Sequence, residues 1–300
     1  MTAGLISSLR DNLHQRNLTG GGFQEQPDGD FRPDATAWSI IALSAIGDDK
    51  KNIDHSQQRL VIAQKKDGRV SIAADQPDAF WPTALAVLAW QGDAAYKEVQ
   101  LKAVHFLINT AGLHWPRQED GPLAHNTSIP GWPWVNATHS WVEPTALALL
   151  ALSISDKADH LRARQAARLL LDRQLTSGGW NYGNTRVYGQ ELRPMPASTG
   201  LALQALAGRA EQAEVKQSLA YLESIIDHTR TPFSLAWGLL GLSAWRKRPR
   251  NAQDLIAASL DRQYILGDYP TTHLSLLLLA ATAENGLLEL LADRKGQHLG

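Results

Sequence analysis

The sequence predicts an all-α domain in which six helical pairs close into a two-layered ring. Three observations carry this. One apolar helix pattern recurs six times along the 300 residues. An amphipathic helix of different character precedes each copy. No stretch sustains the period-two alternation of a half-buried strand.

The apolar helices share the form Pro-x-Thr/Ser-Ala/Gly-Leu/Trp-x-Leu-x-Ala-Leu. The copies are RPDATAWSIIAL from Arg32, FWPTALAVLAW from Phe80, VEPTALALLAL from Val142, MPASTGLALQAL from Met195, PFSLAWGLLGL from Pro232 and YPTTHLSLLLLA from Tyr269. Their aligned positions are Thr36, Thr83, Thr145, Thr199, Leu235 and Thr272. Proline suits the first helical turn, where its missing N–H has no partner to lose. The residues after it are apolar nearly all the way round, the mark of a buried helix.

The helices between them, expected over 2–16, 54–64, 94–109, 158–174, 210–227 and 251–264, carry charge on one side. In the fourth, Leu161, Ala166, Leu169 and Leu170 are expected to separate by face from Arg162, Arg164, Arg168 and Arg173. Alternation of this kind fits apolar helices inside and amphipathic helices outside. A thirteenth, terminal helix is expected over 284–294, and the whole of 1–300 reads as one domain.

The links that lead inward pair glycine with a following aromatic or apolar residue, as in LTGGGF, QKKDGRV and LTSGGWNYG. Glycine there stops the outer helix at positive φ. The longest link, 112–138, holds His114, Trp115, Glu119, Asp120, His125, Trp132 and Trp134. Long links are often functional. All links enter the inner layer at one end, so they crowd one mouth of the ring.

Composition bounds the function. At 44% apolar and 20% charged, the chain reads as an ordinary globular protein, and a net charge of −1 gives no case for nucleic acid. With no cysteine there is no disulfide, thiolate zinc site or cysteine nucleophile. The N-terminus lacks the apolar core of a signal peptide, and the longest apolar run, 274–283, is too short to span a bilayer. The expectation is a cytoplasmic protein.

Glycine-aromatic links ahead of PTALALLAL-type helices resemble the prenyltransferase and squalene-oxidase repeats of squalene/terpene cyclases and protein prenyltransferase β-subunits. The likeness covers about residues 1–283. It implies an (α/α)6 toroid whose central cavity accepts isoprenoid chains. Class II cyclases of that family carry Asp-x-Asp-Asp-Thr-Ala, whose middle aspartate protonates the substrate. Here Arg32-Pro33-Asp34-Ala35-Thr36-Ala37 keeps that middle aspartate alone, and Glu143 stands at the same place in the third unit. Such cyclases normally use two helical domains, and this chain has room for one. The cysteine of the prenyltransferase zinc site is missing.

The candidate catalytic residues are therefore Asp34, Glu143 and His139. A carboxylate in the first helical turn also complements the helix dipole, worth roughly 0.3–1 kcal/mol. His139 and Glu143 share a face if their helix starts early, and a His–Glu hydrogen bond is then expected. The candidate ligand-binding residues are Trp38, Trp81, Trp132, Trp134, Trp141, Tyr182, Tyr188, Trp237 and His273; aromatic walls suit polyprenyl chains and carbocations. No metal or cofactor is called for. The expected partner is an apolar, isoprenoid-like small molecule, with a peripheral membrane contact to collect it. Three functions stay open at this stage: an isoprenoid enzyme, a non-catalytic isoprenoid- or partner-binding toroid, and a carbohydrate-active (α/α)6 enzyme using Asp34 and Glu143.

Overall fold

A computed structural model describes residues 2–117 and 122–297; Glu119 and Asp120 lie outside the described residues. The inner helices are α2 (Pro33–Ala45), α4 (Pro82–Ala89), α6 (Val142–Ile154), α8 (Pro196–Leu206), α10 (Pro232–Ala244) and α13 (Thr271–Thr282). Each packs on the next, and α13 returns to α2, so the ring closes. The outer layer is α1 (Thr2–His14), α3 (Lys50–Ala63), α5 (Lys97–Ile108), α7 (Leu161–Asp172), α9 (Gln212–Ile225) and α11 (Ala252–Asp261). This is the expected (α/α)6 toroid. Its described sheet is a two-residue hairpin, Arg186–Val187 with Gln190–Glu191, in the fourth link.

Boundaries moved where caps were overlooked. Helix α3 starts earlier than expected because the Asp49 side chain accepts from the Lys51 N–H, and Glu211 and Glu214 form a capping box on α9. A short α12 (Gln263–Leu266) follows α11. The terminal helix α14 (Leu287–Gln297) packs against α6 and α10. The Leu287 N–H donates to Gln204 Oε1 at the C-terminal end of α8, so α14 closes the end of the ring away from the links.

The repeat threonines explain how the links are held. The Thr36 hydroxyl accepts from the Phe23 N–H at 2.8 Å and donates to the Phe23 carbonyl at 3.3 Å. Thr83 does the same with Val70, Thr145 with Trp132 and Thr199 with Trp180. One hydroxyl thus satisfies both backbone groups of a buried link residue, which an apolar side chain cannot do. The fifth unit has Leu235 at this position. In the sixth, Thr271 bonds the first link instead: its N–H donates to the Glu25 carbonyl and its hydroxyl to the Gln24 carbonyl, closing the ring.

One inner contact is closer than the rest. A Cβ on Gly200 of α8 would lie 2.1 Å from the Trp237 carbonyl oxygen of α10, and one on Gly241 would lie 2.6 Å from the Gly200 oxygen. Glycine lets these two backbones meet. Among the described residues, no single helix is long and apolar enough to cross a membrane.

Candidate functional site

The threonine hydroxyls point outward, between the layers. At about 100° per residue, a side chain two positions earlier points the opposite way, toward the axis. Those positions are Asp34, Trp81, Glu143, Ala197 and Phe233. One turn deeper on the same faces lie Trp38, Leu85, Leu147, Leu201 and Trp237. Trp38 of α2 and Trp237 of α10 meet edge-on, with ring centroids 5.5 Å apart, and form a floor. Above it, Phe233 lies 5.6 Å from His273 on α13. Trp81 packs on Trp134 at 5.2 Å, and His139 on Trp141 at 4.4 Å. Trp81, Trp134, Trp141, Phe233 and His273 keep partial exposure and line an aromatic mouth.

Two polar corners flank it. Where the sixth unit meets the first, Arg32 grips Asp34 with two N–H groups, Nε to Oδ1 at 3.0 Å and Nη2 to Oδ2 at 2.8 Å. Beside them is Glu25, which sequence reasoning missed. Its carboxyl accepts from the Thr272 N–H at 3.2 Å and the Thr272 hydroxyl at 3.0 Å. Burial and the negative charge of Asp34 push Glu25 up to about 7, against the opposing pull of Thr272 and Arg32. A carboxyl in this state exchanges protons near neutrality.

Glu143 is buried at the mouth and accepts from Ser198 Oγ at 2.8 Å. Burial raises it and the Ser198 bond opposes that. The expected bond to His139 does not form. Helix α6 begins at Val142, so His139 lies before it, exposed, in a bridge to Leu113. Among the described residues, no trio of His, Asp or Glu side chains gathers as a metal site requires.

At the second corner, between the third and fourth links, His125, Arg173 and Asn181 are buried. Arg173 Nη1 donates to the Gly183 carbonyl at 2.6 Å. Burial and the charges of Arg173, His139 and Arg117 drive His125 down to about 3. Burial also lowers His139 and His273.

The structure moves some predicted residues away from the mouth. Trp132 is buried between the layers. Its indole N–H donates to the Leu107 carbonyl at 3.1 Å, and Arg162 lies 4.0 Å over its ring. It is the counterpart of Trp180, whose indole bonds the Leu170 carbonyl. Both fill the wedge behind a repeat threonine, so Trp132 is a spacer, not a wall of the mouth. Tyr188 is 83% exposed on the hairpin turn, while Tyr182, also exposed, stays beside the start of α6, its carbonyl accepting from the Val142 N–H at 2.9 Å. A cleft of about 460 Å³ lined by Phe31, Arg59, Ile62 and Ser71 lies on the flank, away from the axis.

No protein-family model and no curated protein sequence matches the chain. Solved structures do. The type II terpene cyclase MstE from Scytonema, in complex with its substrate geranylgeranyl dihydroxybenzoate, is similar at a TM-score of 0.60 and 16% identity, covering 97% of each chain. A protein from Actinoplanes is similar at 0.62 and 15%, covering 97% of this chain and 100% of its own. The ent-copalyl diphosphate synthase from Streptomyces platensis is similar at 0.54 and 18%, covering 84% of this chain and 50% of its own. The fold is thus the terpene cyclase-like toroid. The chain spans nearly all of the Scytonema cyclase and half of the copalyl diphosphate synthase, so a single toroid of this size also occurs among these structures.

Proposed function

We propose that this chain is a terpenoid cyclase-like protein that takes a polyprenyl chain at the aromatic mouth and starts its cyclisation by protonation. The observation that carries the reading is Glu25, a carboxyl held at about 7 beside Asp34 at the rim of a mouth that includes Phe233 and His273, above the buried pair Trp38 and Trp237. Asp34 keeps the position of the family's acid, but the Arg32 fork engages both its oxygens. In this reading Glu25 donates the proton and Asp34 holds it on Glu25.

The step balances without a cofactor. The proton on the Glu25 carboxyl moves to a terminal alkene carbon, and the alkene π pair forms the new C–H bond. The neighbouring carbon becomes a cation, the next alkene attacks it, and loss of a proton at the end returns the charge. The product is an isomer of the substrate. Aromatic faces stabilise the cation. Because Trp38 and Trp237 close the floor, a long chain enters only as this pair parts. Tyr188, Tyr264 and Ile265 stand exposed on the link end, which supports a membrane-surface contact for collecting an apolar ligand.

The test incubates the full chain with geranylgeraniol and analyses the extract by mass spectrometry. The expected product has unchanged mass and fewer double bonds. Glu25→Gln keeps the Thr272 contacts but carries no transferable proton, and should lower turnover at least about 100-fold. If geranylgeraniol quenches tryptophan emission saturably yet no isomer forms, the toroid binds without turnover. If neither occurs, the mouth is not an isoprenoid site.

A further inference from the structure

We propose that the corner between the third and fourth links is a subsite for an oxyanion, the polar head group of an amphiphilic ligand. Three buried polar atoms there have no hydrogen-bond partner: His125 Nδ1, Arg173 Nε and Asn181 Nδ2. Their residues are 5%, 5% and 6% exposed. Each unpaired group costs about 1–3 kcal/mol, so a fold rarely leaves several in one place. Two are obligate donors, and the third is a ring nitrogen that donates in the matching tautomer. His125 and Asn181 lack an acceptor, and Arg173 Nε has only the Asp172 carboxylate at 3.5 Å.

The local chain holds them together. Arg173 Nη1 donates to the Gly183 carbonyl at 2.6 Å, and Asn181 Oδ1 accepts from the Gly183 N–H at 3.0 Å. One turn of the fourth link therefore fixes both the guanidinium and the amide. His125 approaches from the third link, which is tied to α7 by the Asn126 N–H on Asp172 Oδ2 at 2.9 Å. The same carboxylate oxygen ion-pairs Arg173 Nε at a long 3.5 Å, outside good hydrogen-bond geometry. The other charges acting on His125 are cationic: Arg173, His139 and Arg117. The corner is thus rich in donors, with Arg173 and Arg117 as its fixed positive charges and the Asp172 carboxylate at its edge.

Its position fits an amphiphile. The nearest neighbours of Gly183 across the corner are Trp141 and the Val142 backbone at the start of α6. A head group seated here would lead its tail over Trp141 into the aromatic mouth. A carboxylate and a phosphate offer the same acceptor oxygens. The tail assignment rests on the proposed function, whereas the anion subsite does not.

The test therefore uses probes without a tail. Inorganic pyrophosphate and benzoate are titrated separately into the full chain by calorimetry, with sodium chloride at matched ionic strength as the blank. Saturable binding is expected, and the tighter probe shows whether the head group is phosphate or carboxylate. Asn181→Asp keeps the oxygen that accepts from the Gly183 N–H and adds a negative charge beside Arg173. It should preserve the circular dichroism spectrum and weaken the tighter anion at least 10-fold. No saturable binding of either probe, or equal affinity in folded Asn181→Asp, would overturn the subsite. Because neither probe carries a polyprenyl chain, these outcomes are independent of the geranylgeraniol result.

Discussion

The two polar corners of the mouth solve the same problem differently. Where the sixth unit meets the first, none of the buried atoms left unpaired belongs to Glu25, Arg32, Asp34, Thr271 or Thr272. Between the third and fourth links, three such atoms meet no partner. At the first corner the carboxyls and threonines find partners within the chain, Arg16 Nε at the same junction being the one unpaired neighbour, and its groups perturb one another's protonation. The second is finished only by something from outside. A mouth with a self-contained acid at one side and an open donor cluster at the other suits a ligand with one reactive end and one polar end.

The comparison has its largest consequence in pH dependence, because the corners titrate in opposite directions. Glu25 is raised from 4.5 to about 7, so the folded state holds its proton more tightly. Its stabilisation is complete below about 4.5 and is lost as pH rises through about 7. His125 is depressed from 6.5 to about 3. Its contribution is complete above about 6.5 and is lost as pH falls toward 3. Glu25→Gln should therefore remove a loss of up to about 3 kcal/mol on going from pH 4.5 to 8, at about 1.4 kcal/mol per pKa unit. His125→Gln should leave that limb alone and flatten the acid limb. Thermal melts at unit pH intervals check both. A Glu25→Gln slope equal to the parent's would remove the electrostatic distinction between the corners.

The open corner also depends on an anchor that the closed corner lacks. Arg162 ties down the long third link, donating to the Thr110 carbonyl at 2.8 Å, the Gly131 carbonyl at 3.1 Å and Gln165 Oε1 at 2.9 Å. Arg162→Ala strands the Thr110 carbonyl, leaves the Gly131 carbonyl only the Gly112 N–H, and uncovers Trp132. It should cost about 2–3 kcal/mol, with charged hydrogen bonds the main loss. Denaturant melts measure the cost. Anion affinity at His125 should fall with it, while geranylgeraniol quenching at Trp38 and Trp237 should change less. Equal loss at both would mean that the corners are not independent.

Much of the fold was legible because it repeats. The proline, the threonine and the apolar stripe recur at fixed offsets, and ring closure needs only that each unit resemble the next. The sites were less legible because they arise where units differ. Glu25 belongs to no motif, and its raised proton affinity comes from burial and Asp34 in a corner that Thr272, 247 positions away, completes only when the ring closes. His139 and Glu143 looked like partners by spacing, but the Trp141 cap starts the helix between them. Trp132 was misjudged although a signal was present. It occupies the link position of Phe23, Val70 and Trp180, and a residue type shared by unlike loops belongs to the scaffold.

The smallest predicted effect tests that last distinction, between what repeats and what does not. Thr145 bonds both backbone groups of Trp132, and Leu235 makes no such pair in the fifth unit. Thr145→Val keeps the shape and removes the hydroxyl, leaving a buried N–H without its acceptor. The expected cost is about 1–2 kcal/mol, within the range for stranding one buried group. The reverse change, Leu235→Thr, supplies a hydroxyl where no link backbone waits for it. It should also destabilise, through lost apolar burial and an unpaired hydroxyl. Chemical denaturation of the two variants reads the result. If Leu235→Thr stabilises the chain, a link group stands near that helix unpaired, and the fifth unit follows the repeat after all. If Thr145→Val is silent, the hydroxyl is not what holds the link, and Arg162 with the Asn126–Asp172 bond carries the third link against α7.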